Sequence, residues 1–319
     1  MSPPLHPGFL KLPKTKLYLL GISGGRDSVA LLHLLLENGY HNLVLCHLNH
    51  GLRGEESAQD AQLVTDLAEK YDLLSEIAHC DTAALMQEKK ESMELAARNA
   101  RHRFFYDCSV KYDSQSLLLA HHANDQAETI LFNLLRGSNG LRGMSFQTQH
   151  LINQSTIVFY RPLLATLRDD INSYLEDKKI PYRDDESNTE PVAARNRIRN
   201  EVIPLLDEVM GRDVSHSLLR AEQASSLSEI ALREILTTYE TQDPQGRLFI
   251  PTLKELHPAL QRVAIHDYLK DHGVPNINNR LLAECLELFN TSTSAKINLP
   301  GGSFLRRKEK RLFIETCES

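Results

Sequence analysis

The stretch KLYLLGISGGRDSVALLHLLLEN, residues 16–38, joins an apolar run to two glycines and then to a second apolar run. KLYLLGI (16–22) is short, apolar and rich in strand formers, so it reads as a buried strand. From Arg26 to Asn38 the apolar residues run nearly all round a helical wheel, as expected for a helix packed against a sheet. Working outward, NLVLCHL (42–48) has the continuous apolar character of a buried parallel strand. Residues 55–71 place Leu63, Val64, Leu67, Ala68 and Tyr71 at helical spacing. LLSEIAH is a weaker strand, 82–110 a third helical region, SLLLAHH (116–122) another short strand and 124–136 another helix. Strands alternating with helices in units of about 30 residues mean βαβ repeats and an α/β fold with a doubly wound parallel sheet. Such sheets bind ligands beyond the carboxyl ends of their strands. Polar residues cluster at the segments so selected: SGGRDS after the first strand, HLNHGLRGEES after the second and HHANDQAET after a later one.

Beyond about Pro204 the texture changes. Residues 213–239 carry Leu218, Leu219, Ala224, Leu227, Ile230 and Leu236 as one long helix, and further helical pieces cover 253–271 and 279–288. The closing KINLPGGSFLRRKEKRLFIE forms two strand-like pieces about a Pro-Gly-Gly turn. The expected organisation is a catalytic domain over 1–212 and a mostly helical domain over 213–319.

Composition sets the class. Of 319 residues, 41% are apolar and 24% charged, which is a folded globular protein. No run approaches the roughly 20 apolar residues of a membrane span, and the first residues lack the apolar core of a secretory leader. Five scattered cysteines (Cys46, Cys80, Cys108, Cys285, Cys317) with no Cys-x-x-Cys pair read as reduced thiols of a cytoplasmic protein. The net charge of −6 argues against a general nucleic-acid binder. Local basic runs keep an RNA partner open: Arg195, Arg197 and Arg199 alternate in ARNRIRN, and GSFLRRKEKR (302–311) includes Arg306 and Arg307. Each run is more often a solvated face than a phosphate site.

SGGRDS (Ser23, Gly24, Gly25, Arg26, Asp27, Ser28) is the central motif. Two glycines after a strand let successive N–H groups point into a concave nest, and the following helix adds the positive end of its dipole. Ser23 and Ser28 offer hydroxyl donors. Asp27 would repel phosphate directly, so its use is to hold a bridging magnesium ion. The motif lacks the lysine of a Walker A loop and the spacing of a dinucleotide fingerprint. The plain structural reading is a tight turn with a helix cap. In HLNHGLRGEES, His47, Asn49 and His50 lie where adenine and ribose would sit, although any polar loop offers the same groups. Arg98 and Arg101 share a helical face and would offset phosphate charge, against an ordinary ion pair between Glu94 and Arg98. Asp125 and Glu128, three apart at a helix start, form either a capping arrangement or a receptor for an ammonium group whose proton one carboxylate removes.

SGGRDS resembles the phosphate loop of ATP pyrophosphatases that adenylate their substrates, an adenine nucleotide alpha hydrolase-like fold. Together with HLNHGLRGEES, the segment 94–101, AHHANDQAET, LLRGSNGLRGM (134–144), RPLL (161–164), DESN (185–188) and RNRIRNEVIPLL (195–206), it is similar to the tRNA(Ile)-lysidine synthase family. Coverage is continuous over roughly the first 210 residues, and LPGG (299–302) is similar to the end of that family's middle domain. A further carboxy-terminal domain of longer members has no counterpart, implying a short form. Two departures are Asn124, where the family usually has Asp, and Arg26, where a smaller or apolar residue is usual.

The resemblance implies a carbon–nitrogen ligase. ATP and magnesium would adenylate C2 of the wobble cytidine of an isoleucine tRNA with a CAU anticodon, and the ε-amine of L-lysine would displace AMP. On that reading Ser23, Gly24, Gly25, Arg26, Asp27, Ser28 and His50 bind ATP, with Asp27 on magnesium. Asp125 and Glu128 receive lysine, Arg98 or Arg101 steadies phosphate, and Arg195, Arg197, Arg199, Arg306 and Arg307 face the tRNA. A homodimer is compatible with the sequence and not required by it. The rival readings are a tRNA thiolase of the same superfamily, which needs closely spaced cysteines, and a non-catalytic tRNA-binding relative, which has no need of SGGRDS and both helix carboxylates together.

Overall fold

The computed structural model describes residues 2–49, 55–89, 92–138, 140–153, 155–183, 194–290 and 294–316. The elements run α1 (Pro7–Leu10), β1 (Tyr18–Gly21), α2 (Arg26–Glu37), β2 (Leu43–Asn49), α3 (Glu55–Tyr71), β3 (Leu74–His79), α4 (Thr82–Lys89), α5 (Met93–Lys111), β4 (Ser116–Leu118) and α6 (Ala123–Leu135). They continue with β5 (Gln147–Ile152), β6 (Ser155–Tyr160), α7 (Arg168–Lys178), α8 (Ala194–Arg197), a π-helical turn (Ile198–Val202), α9 (Ile203–Met210) and α10 (Ser215–Leu236). The last are β7 (Leu248–Phe249), α11 (Ile250–Glu255), α12 (Pro258–Asp271), α13 (Asn279–Glu287), β8 (Lys296–Leu299), β9 (Ser303–Lys308) and β10 (Arg311–Thr316).

The chain divides into two compact units, the first comprising 1–128 and 144–215, the second 129–143 and 216–319. The segment 129–143 therefore groups with the second unit, a feature that a single boundary after residue 212 does not contain. In the first unit six strands lie in the order β3-β2-β1-β4-β6-β5, parallel except for the β5–β6 hairpin. That hairpin and α7 extend the alternating pattern read over residues 16–136.

Alternation along β1 explains why helices cover both faces. Leu20 points to one side, into the core with Val29, Leu31, Leu45 and Leu118, while Leu19 points to the other with Val44, Cys46, Phe105, Leu117 and Phe159. Each fully buried leucine contributes about 2 kcal/mol of apolar transfer. Gly21 closes β1 where a Cβ would stand 3.0 Å from the Phe105 ring and 3.0 Å from Leu119, so a side chain here would push both back by a few tenths of an ångström. The expected helical region 82–110 is broken because the Ser92 side chain accepts from Leu95 N–H and starts α5 afresh.

The second unit is mostly helical, with a four-stranded antiparallel sheet, β7-β10-β9-β8, added to its helices. Its core gathers Leu253, Ile265, Leu269, Leu282, Cys285, Leu305 and Leu312. Among the described residues no helix is long and apolar enough to cross a membrane.

Candidate active site

β1 ends at the nest. Gly24 takes φ of +85°, a left-handed conformation open to glycine at little cost. Gly25 precedes α2 with no side-chain cap, so the positive end of the helix dipole faces the turn. Ser28 donates from Oγ to Gly25 O at 2.8 Å and accepts Ser23 N–H at 3.2 Å, and the two hydroxyls are 3.2 Å apart. Gly25 N–H donates to Ser23 Oγ at 3.2 Å. The loop is thus prefolded, with both serine hydroxyls on one side.

Asp27, in the first turn of α2, has a buried Oδ1 with no hydrogen-bond partner among the described residues. Its Oδ2 lies 3.6 Å from His122 Nε2 and 3.9 Å from Arg168 Nη2. An orphaned carboxylate oxygen beside such a turn has the hard-donor chemistry that would suit a magnesium ion. His122 follows β4 and is 1% exposed. Its Nδ1 accepts from Asn124 N–H at 3.2 Å, so its proton sits on Nε2. That Nε2 is 3.6 Å from both Asp27 Oδ2 and Asp125 Oδ2, too far to bond either.

Asp125 and Glu128 sit in the first turns of α6, and the structure brings them beside Asp27 through His122. Asp125 Oδ2 accepts His122 N–H at 3.0 Å, and its Oδ1 accepts from Arg199 Nη2 at 2.6 Å. Burial pushes the Asp125 carboxyl up, but His122, His121 and Arg199 outweigh it and hold the group below its usual range. Glu128 accepts from Arg199 Nε at 2.5 Å and Arg195 Nε at 3.4 Å. Burial disfavours the Arg199 charge, yet Glu128 and Asp125 hold its affinity for a proton above the ordinary value.

Arg195 and Arg199, read from sequence as RNA-facing, are therefore ion-paired to the carboxylates of α6. Arg197 pairs with Glu201 on an exposed turn. In the second unit Arg306 donates to both Glu315 oxygens at 2.8 and 2.9 Å, and Arg307 donates to the carbonyls of Leu288 and Asn290. Arg98 and Arg101 lie on α5. Burial, Arg98, His150 and Arg101 push His102 down to about 4. Burial, opposed by Asp125 and reinforced by Arg161, Arg195 and Arg101, does the same to His121. Arg101 thus acts on the same histidine as Asp125, whereas Arg98 acts on His102. His50, residues 185–188 and the Glu94 side chain lie outside the described residues.

Sequence reasoning missed His122 and Arg168 as site residues. His122 carried a signal, since it stands at the carboxyl end of β4. Arg168 carried none, because it arrives from α7, where its backbone N–H donates to Asn124 Oδ1 at 2.9 Å. Asn124 thereby ties α6 to α7 through an amide oxygen. The cysteines do not assemble a sulfur-transfer centre among the described residues. Cys46, Cys108 and Cys285 are buried, and donating its S–H to Cys108, together with burial, pushes the Cys46 thiol far up.

Comparison with known proteins adds to this geometry. A family model described as the PP-loop domain matches residues 7–206, and one described as the TilS substrate binding domain matches 248–313. A tRNA(Ile)-lysidine synthase from Parabacteroides distasonis is 33% identical over 306 residues, spanning 93% of this chain and 68% of the relative. The chain belongs to the tRNA(Ile)-lysidine synthase family. Other synthases of the family, from Bacillus cereus (strain ATCC 10987 / NRS 248) and Porphyromonas gingivalis, are each 33% identical, covering 89% and 93% of this chain. The chain spans 62% of the length of each of those two. A solved U34-tRNA thiolase from Methanococcus maripaludis overlays with a TM-score of 0.51 at 17% identity, covering 65% of this chain and 71% of its own. At that identity the likeness speaks for the shared fold of the synthase family and the thiolase, and not for a shared reaction.

Proposed function

We propose that this protein makes lysidine: it ligates the ε-amine of L-lysine to C2 of the wobble cytidine in an isoleucine tRNA with a CAU anticodon, consuming ATP. The observation that supports the reading is that His122 Nε2 lies 3.6 Å from both Asp27 of SGGRDS and Asp125 of α6, so the proposed phosphate loop and the proposed ammonium receptor are neighbours. In the first step cytidine O2 attacks the α-phosphorus of ATP and pyrophosphate leaves. The SGGRDS nest receives the phosphates through backbone N–H groups and the Ser23 and Ser28 hydroxyls, and Arg98 or Arg101 offsets their charge. Asp27 Oδ1 would hold magnesium, which would supply charge neutralisation on the phosphates.

In the second step the lysine nitrogen attacks C2, forming the C–N bond, and AMP leaves with the former O2. The lysine must enter as an ammonium and react as an amine. Asp125 and Glu128, which here pair with Arg199, would exchange that guanidinium for the cation, and one of them would take its proton. The modified tRNA would read AUA and accept isoleucine instead of methionine. The buried, high-affinity thiols Cys46 and Cys285 weigh against the thiolase reading.

Purified protein incubated with magnesium ATP, radiolabelled lysine and unmodified CAU-bearing isoleucine tRNA should label that tRNA, and should leave the same tRNA with uridine at the wobble position unlabelled. Pyrophosphate release without label would keep the adenylating loop and reject lysine as the nucleophile.

A further inference from the structure

Arg26 is an unexpected residue at the first position of α2. A cation there opposes the helix dipole, and its side chain is engaged away from the nest. Its Nη1 donates to Asn172 Oδ1 of α7 at 3.0 Å, and its guanidinium lies 5.3 Å from the centroid of the Tyr182 ring. Tyr182 belongs to the segment 180–183 that leaves α7 after a left-handed Lys179, with Ile180 N–H returned to Leu175 O at 2.9 Å. Ile180 and Tyr182 also pack against the main core of the first unit. The segment then runs alongside the phosphate loop. Arg183 pairs with Gly25 as an isolated parallel bridge, and Arg183 N–H donates to Gly24 O at 3.1 Å. The Arg183 side chain anchors the far end, with Nε 2.6 Å from Oδ1 of the buried Asp60 on α3.

We infer that residues 180–183 are a strap, latched by Arg26 at one end and Arg183 at the other, that fixes the orientation of the Gly24–Gly25 peptide plane in the phosphate nest. The peptide is planar and trans, so its C=O and N–H point in opposite directions. Binding Gly24 O to Arg183 N–H therefore holds Gly25 N–H on the opposite side, where it meets Ser23 Oγ. That is the side carrying the two serine hydroxyls. Gly24, as glycine, could rotate this plane at little cost, so its freedom needs an outside restraint. Arg26 and Arg183 are positioning residues: each acts on phosphate through the peptide that the strap holds.

The inference rests on the reading of SGGRDS as an ATP site, and the test separates the two. Magnesium ATP binding to the full chain would be measured by calorimetry for the unsubstituted protein, Arg26→Met, Arg183→Met and the double variant, with thermal melts on the same samples. The double variant should bind ATP about tenfold more weakly, with its KM for ATP raised to match. Its kcat at saturating ATP and its KM for lysine should stay within about twofold. Arg26→Lys, which can still reach Asn172 and place a cation over Tyr182, should recover most of the loss. Unchanged ATP affinity in a folded double variant would overturn the strap, and so would an equal rise in the KM for lysine, which marks general loosening. Absence of ATP binding in the unsubstituted protein would overturn the ATP reading itself, and the strap's role with it.

Discussion

Arg199 closes a two-point fork on Glu128, with Nε 2.5 Å from Oε1 and Nη2 3.1 Å from Oε2. The Glu128 side chain is only 3% exposed, so the fork neutralises a carboxylate that water barely reaches. Removing Arg199 leaves the buried Glu128 with only the longer Arg195 contact at 3.4 Å to offset its charge. Arg199→Gln should lower unfolding free energy by about 3 kcal/mol, read from denaturant midpoints at unchanged m-value. Arg197→Gln, whose pair with Glu201 is exposed, should change it by less than about 0.5 kcal/mol. Equal effects from the two would refute the distinction.

Glu128 and Asp125 are also the proposed receptors of the lysine ammonium. Glu128→Gln keeps the shape and removes the charge, so half-saturation by lysine should rise by about tenfold or more. Pyrophosphate release in the first step should continue. A normal lysine requirement in this variant would remove Glu128 from the second step.

Asp27 is the proposed holder of magnesium, and among the described residues its Oδ1 has no hydrogen-bond partner to lose. Asp27→Asn should therefore melt near the parent temperature while slowing ATP-dependent pyrophosphate release by about 100-fold. A rate within a few-fold of the parent, at any magnesium concentration, would show that the carboxylate is not needed.

His102 and His121 are both pushed down to about 4 in the folded chain. The unfolded chain takes up those protons near pH 6.5, while the folded chain resists until about 4. More protons bound by the unfolded state means that stability falls as pH drops from 6.5 toward 4. His121→Gln should flatten that fall by about 2 kcal/mol, measured by denaturant titration across the window. A slope equal to the parent's would show that His121 titrates normally.

Arg306 and Arg307 stand on neighbouring positions of β9, pointing to opposite faces of the hairpin with β10. If this hairpin meets RNA phosphates, replacing both by Gln should weaken tRNA binding and flatten the salt dependence of log Kd by about one unit for each phosphate that is no longer neutralised. Unaltered binding with a lowered melting temperature would assign them to holding β9 through Glu315 and the carbonyls of Leu288 and Asn290.

Much of the site was legible in the order of residues. The run 16–38 shows a buried strand, a glycine turn and a covered helix because apolar periodicity and glycine tolerance act over a few neighbouring residues. The same local rules place Asp27 on the first turn of α2, and Asp125 with Glu128 on the first turns of α6. They say nothing about which distant groups those side chains meet. ARNRIRN reads from its own composition as a basic face, yet Arg199 reaches Glu128 across 71 positions and Asp125 across 74. Arg183 reaches Asp60 across 123, and Arg26 reaches Asn172 across 146. His122 looked like one of two loop histidines until β4, lying next to β1, set it between Asp27 and Asp125. Backbone pattern is a property of neighbours along the chain, whereas the partner of a charge depends on the register and packing of whole elements, which the folded sheet alone supplies.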